Sequence, residues 1–286
     1  MYFLCKNKEE FEEKKDIVKY KLTYKSGEEE RLYLINNKKG NPLSCISSLG
    51  IYYRAEASLE WLEKKNLYEF KKKTYISGKL ECLGKYSKNW GESGYNINNF
   101  FEILMSDNKN LMNYLVKNID IICYEKKPNY HKGNSMLLFH NRDTLLALKG
   151  DWENLKKRSS LFLKDTPKDM KKRILDYEFF QGLAEKNIER MKEALNNLLV
   201  PKIAKIATYN TIGDYEFYLQ LQVLMYGKIA SIHGYDLGID HELAPKELIK
   251  YDPLPDEEYE DPYGFMKEFD YNAPQSEWIE KYSPKD

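Results

Sequence analysis

Between residues 135 and 233 the chain alternates helix-patterned apolar stretches with very short breaks, and this succession constrains the fold more than any single motif. The spacing predicts helices over 136–148, 151–163, 168–184, 187–199 and 214–233, with Lys149-Gly150, Asp165-Thr166-Pro167 and Glu185-Lys186 as breaks. Connections this short force consecutive helices to pack antiparallel. The expected fold class is mainly α, a multi-helix antiparallel bundle. Gly150 can end one helix in the left-handed conformation, and Asp151 can accept hydrogen bonds from the free amides of the next. Thr166 before Pro167, and Asp214 before 215–233, read as caps by the same grammar. Gly227, inside "MYGKIA", reads as a site of close helix packing.

The N-terminal part is less strongly patterned. Val18, Tyr20, Leu22 and Tyr24 alternate ahead of Ser26-Gly27, which fits a small β-hairpin over 17–36, although the lysines and glutamates there also suit a helix. Helices are predicted over 44–64 and 67–83, and Lys71-Lys72-Lys73 reads as a solvated helix face. The glycine-bearing stretch "GKYSKNWGESGYN" interrupts the pattern, and apolar positions resume from Phe100 with a turn near Ser106-Asp107. A boundary near 130 would divide an N-terminal region, 1–130, from the bundle, 131–249. From 250 to 286, prolines at 253, 255 and 262 block a long helix, and an extended acidic tail rich in aromatics is expected to pack on the body.

Charge excludes little globally. Lys+Arg and Asp+Glu both number 45, so the 286-residue chain is formally neutral and no direct nucleic-acid binding is expected. The ends differ: residues 1–90 hold 19 basic and 13 acidic groups, near +6, while residues 250–286 hold 4 and 11, near −7. No stretch is long and apolar enough to span a bilayer, and the opening lacks a signal-peptide core, so cytoplasmic location is the default expectation. Cys5, Cys45, Cys82 and Cys123 form no CxxC pair and read as free thiols, Cys45 and Cys82 as small core residues.

The candidate chemical residues have competing readings. His140 and Asp143 are three apart on one helix and can meet, but a metal would need a further ligand, and His131 lies nine residues away beyond a glycine. The preferred reading is that His140, Arg142 and Asp143 bridge packed helices, because buried polar groups need partners. His233, Asp236, Asp240 and His241 are of the types zinc accepts, yet Gly234 and Gly238 point to a helix end and tight turns. No metal and no cofactor is expected. GxSxG, HExxH, GxGxxG and GxxxxGK[ST] are missing, so no common catalytic signature speaks for an enzyme. The enzyme alternative requires His140, Asp143, His233 and Asp236 to converge on one pocket.

In their order and spacing, "FHNRDTLLALKGDWENL", "DYEFFQGLAEKNIERMKEALNNLL" and "VLMYGKIASIHGYDLGIDHELAPKELIKYDPLP" resemble the Immunity 49 family of bacterial polymorphic toxin systems. The likeness covers about residues 130–255. It is carried by the Gly150-Asp151 turn, the helical pair over 176–199, and the Ala230–Gly234 helix end followed by Pro245, Leu248 and Pro253-Leu254. The resemblance implies a mainly helical immunity protein that binds a cognate toxin and protects the producing cell without catalysis. Toxin-binding candidates are the acids Asp256, Glu257, Glu258 and Glu260 with the aromatics Tyr259, Tyr263 and Trp278. The alternative without a toxin is a helical scaffold for another protein or peptide. The oligomeric state is left open.

Overall fold

The computed structural model describes residues 4–85, 100–123, 136–208 and 211–283. His131, the stretch after Lys85 and the expected boundary near 130 lie outside the described residues. Among those described there is no strand, and the single isolated antiparallel bridge joins His241 to Ala244. The mainly helical expectation holds. The described residues form two compact units: one from residues 4–11, 115–123, 136–208 and 211–251, the other from residues 12–85, 100–114 and 252–283.

The first unit contains α7 (Ile119–Ile122), α8 (Met136–Lys149), α9 (Trp152–Lys164), a 3-10 helix (Lys168–Arg173), α10 (Ile174–Ala184), α11 (Ile188–Leu199), α12 (Pro201–Thr208), α13 (Leu221–Ile232) and α14 (Lys246–Ile249). Gly150 takes φ +78°, and the amide of Asp151 bonds back to the carbonyl of Leu146 at 3.0 Å, which closes α8. The carboxylate of Asp151 then accepts the amide of Asn154 at 3.3 Å and opens α9. Between α10 and α11, Asn187 is the cap, accepting from Arg190 N at 3.0 Å. A Cβ at Gly182 would stand 3.1 Å from the nitrogen of Met191, and one at Gly227 would stand 2.9 Å from Ile249, so each glycine permits a close approach. The core is aromatic: Phe162 and Tyr177 stack with centroids 3.7 Å apart, and Phe179 stacks on Tyr226 at 5.0 Å.

Two expected caps are corrected here. Asp214 caps no helix: the segment before α13 forms turns, with Tyr215 N and Glu216 N both bonded to Ile212 O at 2.9 Å. The amide of Gln220 is drawn to Leu243 O at 2.8 Å, which takes it out of any helical ladder, and the Gln220 side chain caps α13 through Gln222 N at 3.0 Å. Asp214 is buried. Thr166 likewise faces backwards, its hydroxyl donating to Phe162 O at 2.9 Å in the helix it follows.

The second unit holds most of α1 (Lys8–Lys21), a 3-10 helix (Leu22–Gly27), α2 (Glu28–Asn36), α3 (Pro42–Lys64), α4 (Leu67–Leu83), α5 (Phe101–Met105) and the start of α6 (Lys109–Lys117). The expected hairpin over 17–36 is overturned. Gly27 has φ −96°, whereas tight hairpin turns need positive φ, and the alternating Tyr20 and Tyr24 are 66% and 37% exposed, so they form no buried face. Helix-favouring Lys and Glu prevail instead. α3 and α4 form an antiparallel hairpin turned at Lys65, whose φ of +51° follows α3, with Asn66 accepting from Glu69 N at 3.2 Å. The C-terminal segment is only partly extended. It carries a 3-10 turn (Asp256–Glu258), α15 (Gly264–Lys267) and α16 (Gln275–Tyr282), the last starting after Pro274, where a proline no longer blocks a helix.

Candidate functional site

His140 and Asp143 of α8 are buried in the first unit. His140 is 2% exposed, and its Nε2 lies 3.1 Å from the hydroxyl of Tyr226 on α13. Burial, reinforced by the nearby Arg173 charge, pushes the pKa of His140 down to about 3, so the ring is neutral. Asp143 is fully buried and pairs with the guanidinium of Arg158 on α9. Arg158 also donates to Phe139 O at 3.1 Å and lies 3.9 Å over the Phe139 ring. Arg142 turns outward to Asp120 and donates to Cys123 O at 3.3 Å. Asp176 is buried beside Arg173 at 3.4 Å, and burial pushes its carboxyl up.

These contacts tie α8 to α7, α9 and α13, and the 3-10 helix to α10, while His140 Nδ1 is buried without a hydrogen-bond partner among the described residues. Sequence reasoning singled out Asp143 but missed Arg158, Arg173 and Tyr226. Arg158 had a signal. In a hairpin that turns at Gly150-Asp151, positions 143 and 158 stand opposite one another. Tyr226 had none, because its position depends on where a later helix crosses.

His233, Asp236, Asp240 and His241 are likewise engaged separately. The Nε2–H of His233 donates to Ala147 O at 2.8 Å, satisfying a carbonyl in the last turn of α8, while its ring meets Trp152 edge-on at 4.6 Å. Asp236 accepts Gly238 N at 2.8 Å, Asp240 accepts Lys246 N at 3.4 Å, and His241 Nδ1 accepts Leu243 N at 3.1 Å. Gly234 and Gly238 adopt φ of +83° and +63° in these turns. Among the described residues no group of three or more His, Cys, Asp or Glu is placed to hold a metal ion. This region instead borders an open cleft of 580 Å³, lined by Ser231, Tyr235, Leu237, Ile239, Lys246 and Ile249 among others. All four cysteines are free, Cys82 buried and Cys45 half-buried.

The candidates of the C-terminal segment divide into two sets. Tyr263 and Trp278 are 6% exposed: the Tyr263 hydroxyl lies 3.3 Å from that of Tyr53, and the Trp278 indole donates to Leu83 O at 2.8 Å. Tyr259 is half-buried and donates to Ser106 O at 2.9 Å. Glu258 meets Lys72 at 3.4 Å and accepts from Tyr68. Asp261, which sequence reasoning passed over, holds the buried Lys79 at 2.7 Å and the Tyr75 hydroxyl at 3.0 Å. Lys71, expected on a solvated face, is 3% exposed and pairs with Asp107 at 3.0 Å. Asp256, Glu257 and Glu260 are exposed and make no ion pair among the described residues.

What these contacts define is an assembly of helices in which the buried histidine and several buried charges contact neighbouring helices. Residues 153–248, from α9 into α14, match the family model of Immunity protein 49. No curated protein and no solved structure matches the chain. The matched segment includes Arg158, Asp176, Tyr226 and His233, and stops short of the acidic C-terminal candidates. Among the described residues no helix is long and apolar enough to cross a membrane.

Proposed function

We propose that the protein is an immunity protein that binds a cognate bacterial toxin in the producing cell and blocks it sterically, without chemistry of its own. The observation that carries this reading is the match of residues 153–248 to Immunity protein 49. The contacts of His140, Asp143, His233 and Asp236 support it, since each meets a different partner instead of a common pocket. The proposed contact surface is the exposed acidic arc of Asp256, Glu257 and Glu260, with Glu258 and Tyr259 at its edge. Tyr263 and Trp278 anchor that arc from within the second unit. An arc of this sign suits a toxin with a basic active-site cleft, where it would take the place of an anionic substrate.

The test is retention, on the tagged full-length protein, of a catalytically disabled form of any toxin encoded beside its gene. Stoichiometric recovery of that toxin is expected. A toxin that is expressed and never retained would overturn direct neutralisation, and unchanged affinity on reversing the three exposed acids would move the contact away from the arc.

A further inference from the structure

The first unit carries a basic face that no contact described above uses. Lys168, Lys171 and Lys172 are exposed on the 3-10 helix Lys168–Arg173, and Lys202 and Lys205 are exposed on α12, which packs against it. None of the five is ion-paired among the described residues. Arg173, in the same run, turns inward to Asp176. Val200 and Ile206, 44% and 50% exposed, add aliphatic surface to the same helix and its entrance. Exposed lysines and exposed aliphatic side chains on two elements in contact are the materials of a protein-binding patch.

The second unit supplies the opposite surface. Asp256, Glu257 and Glu260 follow Pro253 and Pro255, both exposed, and Leu254, half-buried. Among the described residues this stretch therefore sets carboxylates without an ion pair beside apolar side chains, as the 3-10 helix and α12 set ammonium groups without an ion pair beside Val200 and Ile206. We propose that the lysine face of the 3-10 helix and α12 docks on the acidic segment 253–260 of a second copy of this chain. Formal net charge is zero, so no long-range repulsion keeps copies apart. Among the described residues the 3-10 helix and α12 offer neither an exposed arginine nor an exposed aromatic ring, the groups that read or stack nucleic-acid bases, and this favours a protein occupant over a nucleic acid. Reciprocal contacts about a two-fold axis would close a dimer, and a single contact per copy would propagate. The inference does not rest on the toxin reading. A second copy on the arc would cover the same acids, so the two partners would exclude each other.

Sedimentation of the full chain over a concentration series tests this at about 0.1 M and about 1 M salt, between which the screening length falls from about 10 Å to about 3 Å. The expected result is a mass that rises with concentration at the lower salt and returns to the 34.0 kDa monomer at the higher. Two variants, Lys171→Glu/Lys172→Glu/Lys205→Glu and Asp256→Lys/Glu257→Lys/Glu260→Lys, are each expected to stay monomeric alone, with helical circular dichroism unchanged. Mixed in equal amounts they should associate again, because the arc of the first still fits the lysine face of the second. A monomer at every concentration at the lower salt overturns the proposal, as does association that survives either reversal or a mixture that stays monomeric. Capture of the monomeric wild type, but not the lysine variant, on phosphatidylserine vesicles or duplex DNA would reassign the face to that anion.

Discussion

The two units bury charge in different ways. In the first, the pair Asp143–Arg158 joins residues 15 apart on consecutive helices, so the hairpin that forms the turn also forms the pair. In the second, the C-terminal segment returns to α4 across the chain: Lys79–Asp261 spans 182 positions and Trp278–Leu83 spans 195. Local pairs of the first kind cost little loop closure, whereas closure of the second kind must be offset by burial of Tyr263, Phe265, Trp278 and Tyr282. The contrast teaches where each unit is vulnerable: the first at a charge, the second at an aromatic anchor.

The largest expected effect is at the charge. Asp143→Ala leaves the Arg158 guanidinium buried without its carboxylate and is expected to cost about 3–5 kcal/mol in denaturant unfolding, while Asp143→Leu/Arg158→Met should recover much of it. If the single and double variants are equally unstable, the loss belongs to packing and the contrast fails. Trp278→Ala should cost about 3 kcal/mol through the cavity and the orphaned Leu83 carbonyl. Hydrogen exchange is expected to show its lost protection in α3, α4 and the C-terminal segment. Loss concentrated instead in α8–α13 would contradict a local role for the anchor.

Smaller, and specific to the first unit, is a pH effect at His140. Its folded pKa of about 3 lies below the ordinary 6.5, so below 6.5 the unfolded chain takes up a proton that the folded chain refuses. Stability from this group is therefore present above 6.5 and is lost as pH falls. Between about pH 7 and about pH 5.5 the wild type should lose about 1 kcal/mol more than His140→Gln, which has no such proton to bind. Equal losses in the two proteins would show that His140 is solvated, against the buried contact with Tyr226.

Much of the first unit was legible because its rules are local. The turn at Gly150-Asp151, the succession α8 to α11 and the contacts of His140 and Asp143 with neighbouring helices follow from short breaks, caps and the need of buried polar groups for partners. The misreadings have the same origin. Asp214 looks like a cap, and what removes it from that role is Leu243 O drawing off the amide of Gln220, a contact no local pattern contains. Tyr20 and Tyr24 alternate like strand residues, but alternation marks a strand only when one face is buried, and here both rings are exposed. Lys71 looked solvated because Asp107 and the returning C-terminal segment lie far away in sequence. In the acidic segment, charge alone could not separate Glu258 and Asp261, which hold Lys72 and Lys79, from the three acids beside them that face solvent.

That separation gives the smallest expected stability change and the sharpest use of the comparison. Asp256→Lys/Glu257→Lys/Glu260→Lys alters charges with no ion pair among the described residues, so unfolding free energy should stay within about 0.5 kcal/mol of wild type. Asp261→Asn, one position further on, removes the carboxylate from Lys79, which is 2% exposed and whose pKa burial already lowers, so its cost should exceed that of the triple reversal. Denaturant unfolding of the two variants side by side checks the ordering. A triple reversal as damaging as Asp261→Asn would mean that the exposed acids also hold the second unit together, and a surface so engaged would have little charge left for any partner.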